Sequence, residues 1–158
     1  MYDTKIDIDK DKREKLITML NQRLADASDL KSQAKQAHWN VKGMNFIALH
    51  ELFDSVATAV DGHVDLIAER ITTLGGTAMG TVRLAAQNSS LSEYPHEITE
   101  GAAHVDALST ALSDFGRAVR KNIDESADMG DQITADVLTE IARETDKNLW
   151  FVEAHVQE

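Results

Sequence analysis

Apolar residues recur at steps of three and four along most of this 158-residue chain, the spacing that gathers side chains on one face of an α-helix. Leu16, Leu20, Leu24, Ala27, Leu30, Ala34 and Ala37 form one stripe and predict a helix over residues 9–37. Phe46, Leu49, Phe53, Val56, Val60, Val64, Ile67, Ile71 and Leu74 predict a second over residues 45–74, stopped by Gly75-Gly76. A third is expected to begin near Pro95, a residue suited to a first turn, and carries Ile98, Val105, Leu108, Leu112, Phe115, Val119 and Ile123. A fourth follows Gly130, with Asp131 as its N-cap, and runs through Ile133, Val137, Ile141, Leu149, Val152 and Val156. The links near Gly43 and Gly130 are short, so each pair of helices is an antiparallel hairpin. The long link from Gly75 to Tyr94 is expected to hold a short extra helix over residues 81–87, because structureless loops of that length are uncommon in compact domains.

Two hairpins joined by one long crossover describe an all-α, ferritin-like four-helix bundle with a short extra helix between helices two and three. Residues 1–158 read as a single domain with a short N-terminal extension, 1–8. No apolar run is long enough for a membrane span, and Met1-Tyr2-Asp3-Thr4-Lys5-Ile6-Asp7 lacks the apolar core of a signal peptide. There are no cysteines, which removes disulfide frameworks, thiolate metal sites and cysteine nucleophiles. That composition fits a cytoplasmic location. Sixteen basic residues against 27 acidic ones leave a net charge of −11, which favours cations over nucleic acid as partners.

The second helix carries an acidic face beside its core stripe. With His50 at zero and about 100° per residue, Asp54 falls near 40°, Asp61 near 20°, Asp65 near 60° and Glu69 near 100°. The apolar stripe lies at about 200–320°, and a weaker strip of Ala48, Ala59 and Leu66 lies at about 160–180° by the same arithmetic. The acidic face therefore sits between two apolar surfaces. His50 and Asp54 are four residues apart, as are Asp65 and Glu69, so each pair can reach one metal ion. Imidazole and carboxylate without thiolate suit iron, manganese or zinc. A turn at Gly43 brings His38, at the end of helix one, beside the start of helix two.

One ion cannot use all of these donors within one chain. At 1.5 Å per residue His50 and Asp65 are about 22 Å apart along the axis, and Asp54 and Asp65 about 16 Å. Either there are two unrelated half-sites, or a second copy of helix two runs antiparallel across a two-fold axis and completes two identical sites.

Ala37-His38-Trp39-Asn40-Val41-Lys42-Gly43, Phe46-Ile47-Ala48-Leu49-His50-Glu51-Leu52-Phe53-Asp54, Asp65-Leu66-Ile67-Ala68-Glu69-Arg70 and Leu74-Gly75-Gly76 together closely resemble the Dps proteins, the dodecameric miniferritins named as DNA-binding proteins from starved cells. The resemblance extends to Asp146-Lys147-Asn148-Leu149-Trp150-Phe151. It implies a hollow shell of twelve copies in which iron(II) is oxidised, preferably by hydrogen peroxide, and stored as ferric mineral. It implies two-iron sites between subunits, with His38, His50 and Asp54 from one subunit and Asp65 and Glu69 from its two-fold partner. Zinc and manganese are competitors for such a site. Trp39 matches the tryptophan beside it that quenches oxidising equivalents. Ordinary ferritins instead build their site within one bundle from Glu-x-x-His pairs. The one such pattern here, Glu93 to His96, spans Pro95 at an expected helix start, so the intra-bundle arrangement fits poorly.

Acidic residues near the junction of helices three and four (Asp124, Glu125, Asp128, Asp131, Asp136) are candidates for an iron inlet at a three-fold axis, with Asp136 and Asp131 singled out; capping and a solvated loop are the competing roles. The family's alternative function is compaction of the nucleoid through a basic tail. Residues 1–15 hold five basic residues (Lys5, Lys10, Lys12, Arg13, Lys15) and five acidic ones (Asp3, Asp7, Asp9, Asp11, Glu14), a balance of zero. Weak or absent DNA binding is therefore the expected outcome of a gel shift at low and moderate salt. Tight binding independent of magnesium contradicts this.

Overall fold

The computed structural model describes residues 1–157. The predicted periodicities become five helices: α1 (Lys10–Asn40), α2 (Phe46–Thr73), α3 (Val82–Asn88), α4 (Gly101–Asp128) and α5 (Gln132–Glu153). The long helices pair as α1 with α2 and α4 with α5, and the two hairpins close on each other mainly through α1 with α4 and α2 with α5. The stripes face inward. Leu16, Leu20, Leu24 and Leu30 of α1, Phe53, Val56, Val60, Ile67 and Ile71 of α2, Leu108, Leu112, Phe115 and Val119 of α4, and Leu138 and Ile141 of α5 are all fully buried in one core. No helix among the described residues is long and apolar enough to cross a membrane.

Each hairpin turns on a glycine with positive φ, Gly43 at 108° and Gly130 at 84°, a conformation that costs other residues strain. The crossover contains the expected short helix, with the Thr81 side chain accepting from the Leu84 N–H. It is tied to α1 by the buried carboxylate of Asp26, which pairs with Arg23 at 2.8 Å and accepts from the Ser90 N–H at 2.7 Å. The N-terminal segment is tied down as well. The Tyr2 N–H donates to Gly75 O at 2.6 Å, and the buried Arg13 guanidinium donates to Ile8 O and Leu74 O.

Two boundaries differ from the pattern. Helix α4 begins at Gly101, not near Pro95. The preceding segment is held outside any helix because Lys42 N–H donates to Thr99 O at 3.0 Å and Lys42 bridges Glu100. A residue with a Cβ at Gly101 would meet Leu49 at 2.8 Å, so the start of α4 packs closely against α2. At the other end, α5 stops at Glu153, and Val156, counted in its stripe, is exposed.

Phe115 is fully buried at the centre of this core. Phe115→Ala should cost about 3–5 kcal/mol, the usual range for emptying a buried phenylalanine site. A fall in the urea midpoint at unchanged slope reports that loss.

Candidate metal centre

The turn at Gly43 brings the end of α1 against the start of α2, and two histidines meet there. His38 Nδ1 lies 2.7 Å from His50 O, and His50 Nδ1 lies 2.8 Å from His38 O. A carbonyl only accepts, so each Nδ1 carries the proton and donates. Both rings are thereby fixed in the tautomer whose Nε2 is a bare lone pair, the form that binds metal. The rings stack at 3.8 Å between centroids, with planes 20° apart. The two rings are thus held face to face.

Asp54 follows one turn after His50. Its carboxylate receives Lys35 Nζ at 2.5 Å, and this hydrogen bond holds its pKa below the ordinary value against a smaller opposing effect of desolvation. Lys35 also lies 5.7 Å from the Trp39 ring centroid. Trp39 itself is 65% exposed. His38, His50 and Asp54 line an open cleft of about 660 Å³, together with Thr58 and Ala59 of α2 and Glu144 of α5. Glu144 is held from below by the buried His63, whose Nε2 lies 2.8 Å away. His63 Nδ1 is buried without a partner, so the proton sits on Nε2 and Glu144 accepts it.

Asp65 and Glu69 lie on the same side of α2 but far along it. Both are exposed and neither forms an ion pair among the described residues. Helix α2 is unbroken from Phe46 to Thr73, so the separation of about 16 Å between Asp54 and Asp65 stands. Among the described residues no group of three or more His, Asp or Glu is placed to hold one ion, His38, His50 and Asp54 included. The chain gathers three donors at one end of α2 and two at the other. Between them lie the small exposed residues Ser55, Thr58 and Gly62, the half-buried Ala59, and the exposed Asp61, which pairs with Lys31. A Cβ added at Gly62 would meet nothing within 4 Å, although glycine inside a helix costs about 1 kcal/mol relative to alanine.

The remaining candidates are placed as follows. Asp131 caps α5, accepting from the Thr134 N–H at 3.0 Å and the Thr134 hydroxyl, and takes Arg70 Nη2 on both oxygens at 2.9 Å. It is buried. Its part is thus the capping one, with both oxygens engaged inside the chain. Asp136 is exposed one turn further on. Glu93 and His96 pair with each other at 3.1 Å on the exposed segment before α4, away from the bundle interior. Lys35, Glu144 and the buried Tyr94–His104 contact at 2.6 Å were not singled out from sequence. The only signal for Lys35 was its spacing of four from Lys31, which pairs with Asp61 at 2.5 Å.

The ferritin-like domain family matches residues 17–158. The chain is 45% identical over 157 residues to the DNA protection during starvation protein of Agrobacterium fabrum, covering 99% of this chain and 97% of that relative. The chain belongs to the Dps family. Solved Dps structures superpose closely. The tetragonal form of Mycobacterium smegmatis Dps gives a TM-score of 0.94 at 33% identity, covering 99% of this chain and 95% of that one. Microbacterium arborescens Dps, solved in a high iron form, gives 0.88 at 32% identity, covering 95% and 97%. Vibrio cholerae Dps, described as one of a broad superfamily of ferritin-like diiron-carboxylate proteins, gives 0.91 at 25% identity, covering 99% and 98%. The Dps fold and an all-helical bundle are thus common ground between this chain and its relatives.

Burial alone would raise the Asp131 pKa, but the Thr134 hydrogen bonds and Arg70 more than offset it and leave it lowered. A depressed carboxylate contributes stability that is fully present above its unfolded value of about 4 and is lost as pH falls through the folded pKa. Asp131→Asn should therefore destabilise by about 3 kcal/mol at neutral pH. The gap to wild type should narrow below about pH 4, as read by denaturation midpoints across pH.

Proposed function

We propose that this Dps protein oxidises iron(II) at sites shared between two copies related by a two-fold axis and stores the product as ferric mineral inside a hollow shell of twelve. The observation that carries this is the division of donors on α2. Two imidazoles with bare Nε2 atoms and Asp54 stand at one end, Asp65 and Glu69 at the other, too far apart for one ion to bridge. An antiparallel second α2 sets Asp65 and Glu69 of the partner copy opposite His38, His50 and Asp54, and symmetry repeats the site. The small face through Ser55, Ala59 and Gly62 lets two such helices approach, which gives the otherwise costly Gly62 a reason.

Iron is the substrate and the cargo. Carboxylates stabilise iron(III) over iron(II) more than imidazole does, so the mixed donor set binds the reduced ion and favours its oxidation. Two Fe(II) release the two electrons that one H₂O₂ accepts, giving two Fe(III) and, with two protons, two waters. Paired oxidation avoids the one-electron step that liberates hydroxyl radical. Removing iron(II) and peroxide together protects DNA without touching it, which suits a chain of net charge −11 whose N-terminal segment is tied to Gly75. Zinc and manganese compete for the same donors. At the three-fold inlet, exposed Asp136 lines the path, while Asp131 serves the fold. The cytoplasm is where such a store works.

Rapid mixing with peroxide tests the chemistry. The expected stoichiometry is two irons per peroxide, and one iron per peroxide contradicts the paired mechanism. His50→Ala, and separately Asp65→Asn with Glu69→Gln, should each slow ferric formation by at least about tenfold.

Gly62→Leu tests the shared site. Its side chain has open space in the protomer and improves helix propensity, so helix content should persist. Assembly on size exclusion and iron oxidation should both be lost. A full-sized, fully active Gly62→Leu shell contradicts the proposed contact.

A further inference from the structure

Among the described residues, Lys35 is the one cation that forms an ion pair with any of the five candidate donors. Lys31 and Lys35 stand one turn apart on α1, and each reaches a carboxylate of α2. Lys31 pairs with Asp61 and Lys35 with Asp54, both at 2.5 Å. The Lys31–Asp61 pair ties the two helices together without using a donor. Surface pairs of this kind contribute little to stability, so a second clasp beside the first is a weak reason for Lys35. Its surroundings suggest a better one. Lys35 lies three residues before His38 and four before Trp39, so the three side chains share one face of α1. Its ammonium thus reaches the donor Asp54 while lying 5.7 Å from the Trp39 ring centroid.

Metal binding changes what this ammonium can bond. An ion on the Asp54 carboxylate takes away the acceptor that Lys35 uses. The face of Trp39, within cation–π range, keeps the charge at the rim of the site. An ammonium has three donors and no acceptor, so it needs an oxygen lone pair in place of Asp54. Hydrogen peroxide carries lone pairs on both oxygens and accepts such a bond. Dioxygen is apolar and accepts it poorly. The bond to peroxide also strengthens as the O–O bond breaks, because the departing oxygen becomes hydroxide.

We infer that Lys35 selects the oxidant: its ammonium holds hydrogen peroxide over the bound iron pair and stabilises the oxygen that leaves. Two Fe(II) each give one electron to the O–O bond, which breaks to yield two Fe(III) and two hydroxides. One hydroxide forms against Lys35, which donates a hydrogen bond and keeps its proton. Solvent protons then convert both hydroxides to water. When the iron moves on, Lys35 returns to Asp54.

This inference rests on the ferroxidase reading, and the test separates the two. Assembled wild-type, Lys35→Met and Lys35→Arg shells are loaded with Fe(II) without air. They are then mixed in stopped flow with peroxide, and separately with dioxygen, while absorbance follows ferric product. Cobalt(II) titrations followed by visible absorbance report metal binding by itself. Methionine keeps an unbranched stem without the ammonium, and arginine restores a charged donor. In Lys35→Met the ratio of peroxide rate to dioxygen rate should fall by about a hundredfold, the low end for losing one oriented donor. Lys35→Arg should recover most of it. Cobalt should bind Lys35→Met at least as tightly as wild type, because a like charge has gone. Should Lys35→Met not assemble, Lys35→Gln replaces it, with a fall of at least about tenfold expected because its donor is neutral. An unchanged ratio, equal losses with both oxidants, or weakened cobalt binding overturns the role of Lys35 and leaves the ferroxidase reading standing. Wild-type shells that form no ferric product with either oxidant overturn both.

Discussion

An unbroken α2 is the constraint on which the rest depends. From Phe46 to Thr73 it is one continuous α-helix, and a helix advances 1.5 Å per residue whatever its side chains prefer. Donors placed at both ends of such a rod are held apart as firmly as donors on separate molecules. The core stripe secures the rod's position, because Phe53, Val56, Val60, Ile67 and Ile71 are fully buried on the opposite side. The proposed metal site thus takes its precision from apolar packing, and its incompleteness within one chain from helix geometry.

Local devices then set the chemical state of each donor. The reciprocal bonds between His38 and His50 choose their tautomers, since each ring uses the other's backbone carbonyl as its acceptor. Neither bond exists without the turn at Gly43. Lys35 holds the Asp54 carboxylate in its charged form through their ion pair.

Much of this was legible in the residues themselves. The stripes of three and four marked four long helices and their inward faces, and the spacing of His50, Asp54, Asp65 and Glu69 marked one side of α2. Spacing along a helix is a property of sequence, so both could be read directly. What escaped depends on contacts between elements. Pro95 is a good first-turn residue, yet α4 starts six residues later because Lys42 holds Thr99 and Glu100 from across the bundle. Asp131 reads from sequence as the N-cap of the fourth helix and also as a pore candidate, and what sequence does not reveal is that Arg70, distant along the chain, closes on it. The partners of His63 and His104 lie 81 and 10 residues away, and no local pattern announces either.

Complementation between two inactive chains tests the shared site most directly. One chain carries His50→Ala and Asp54→Ala, the other Asp65→Ala and Glu69→Ala, and each is assembled alone and after co-refolding in equal amounts. If the donors come from two copies, each mixed two-fold pair holds one site with all of its donors and one with none of the altered four. Random pairing then restores about one quarter of wild-type iron oxidation. If each ion is held within a single chain, the mixed shells remain as inactive as their parents, and the account fails.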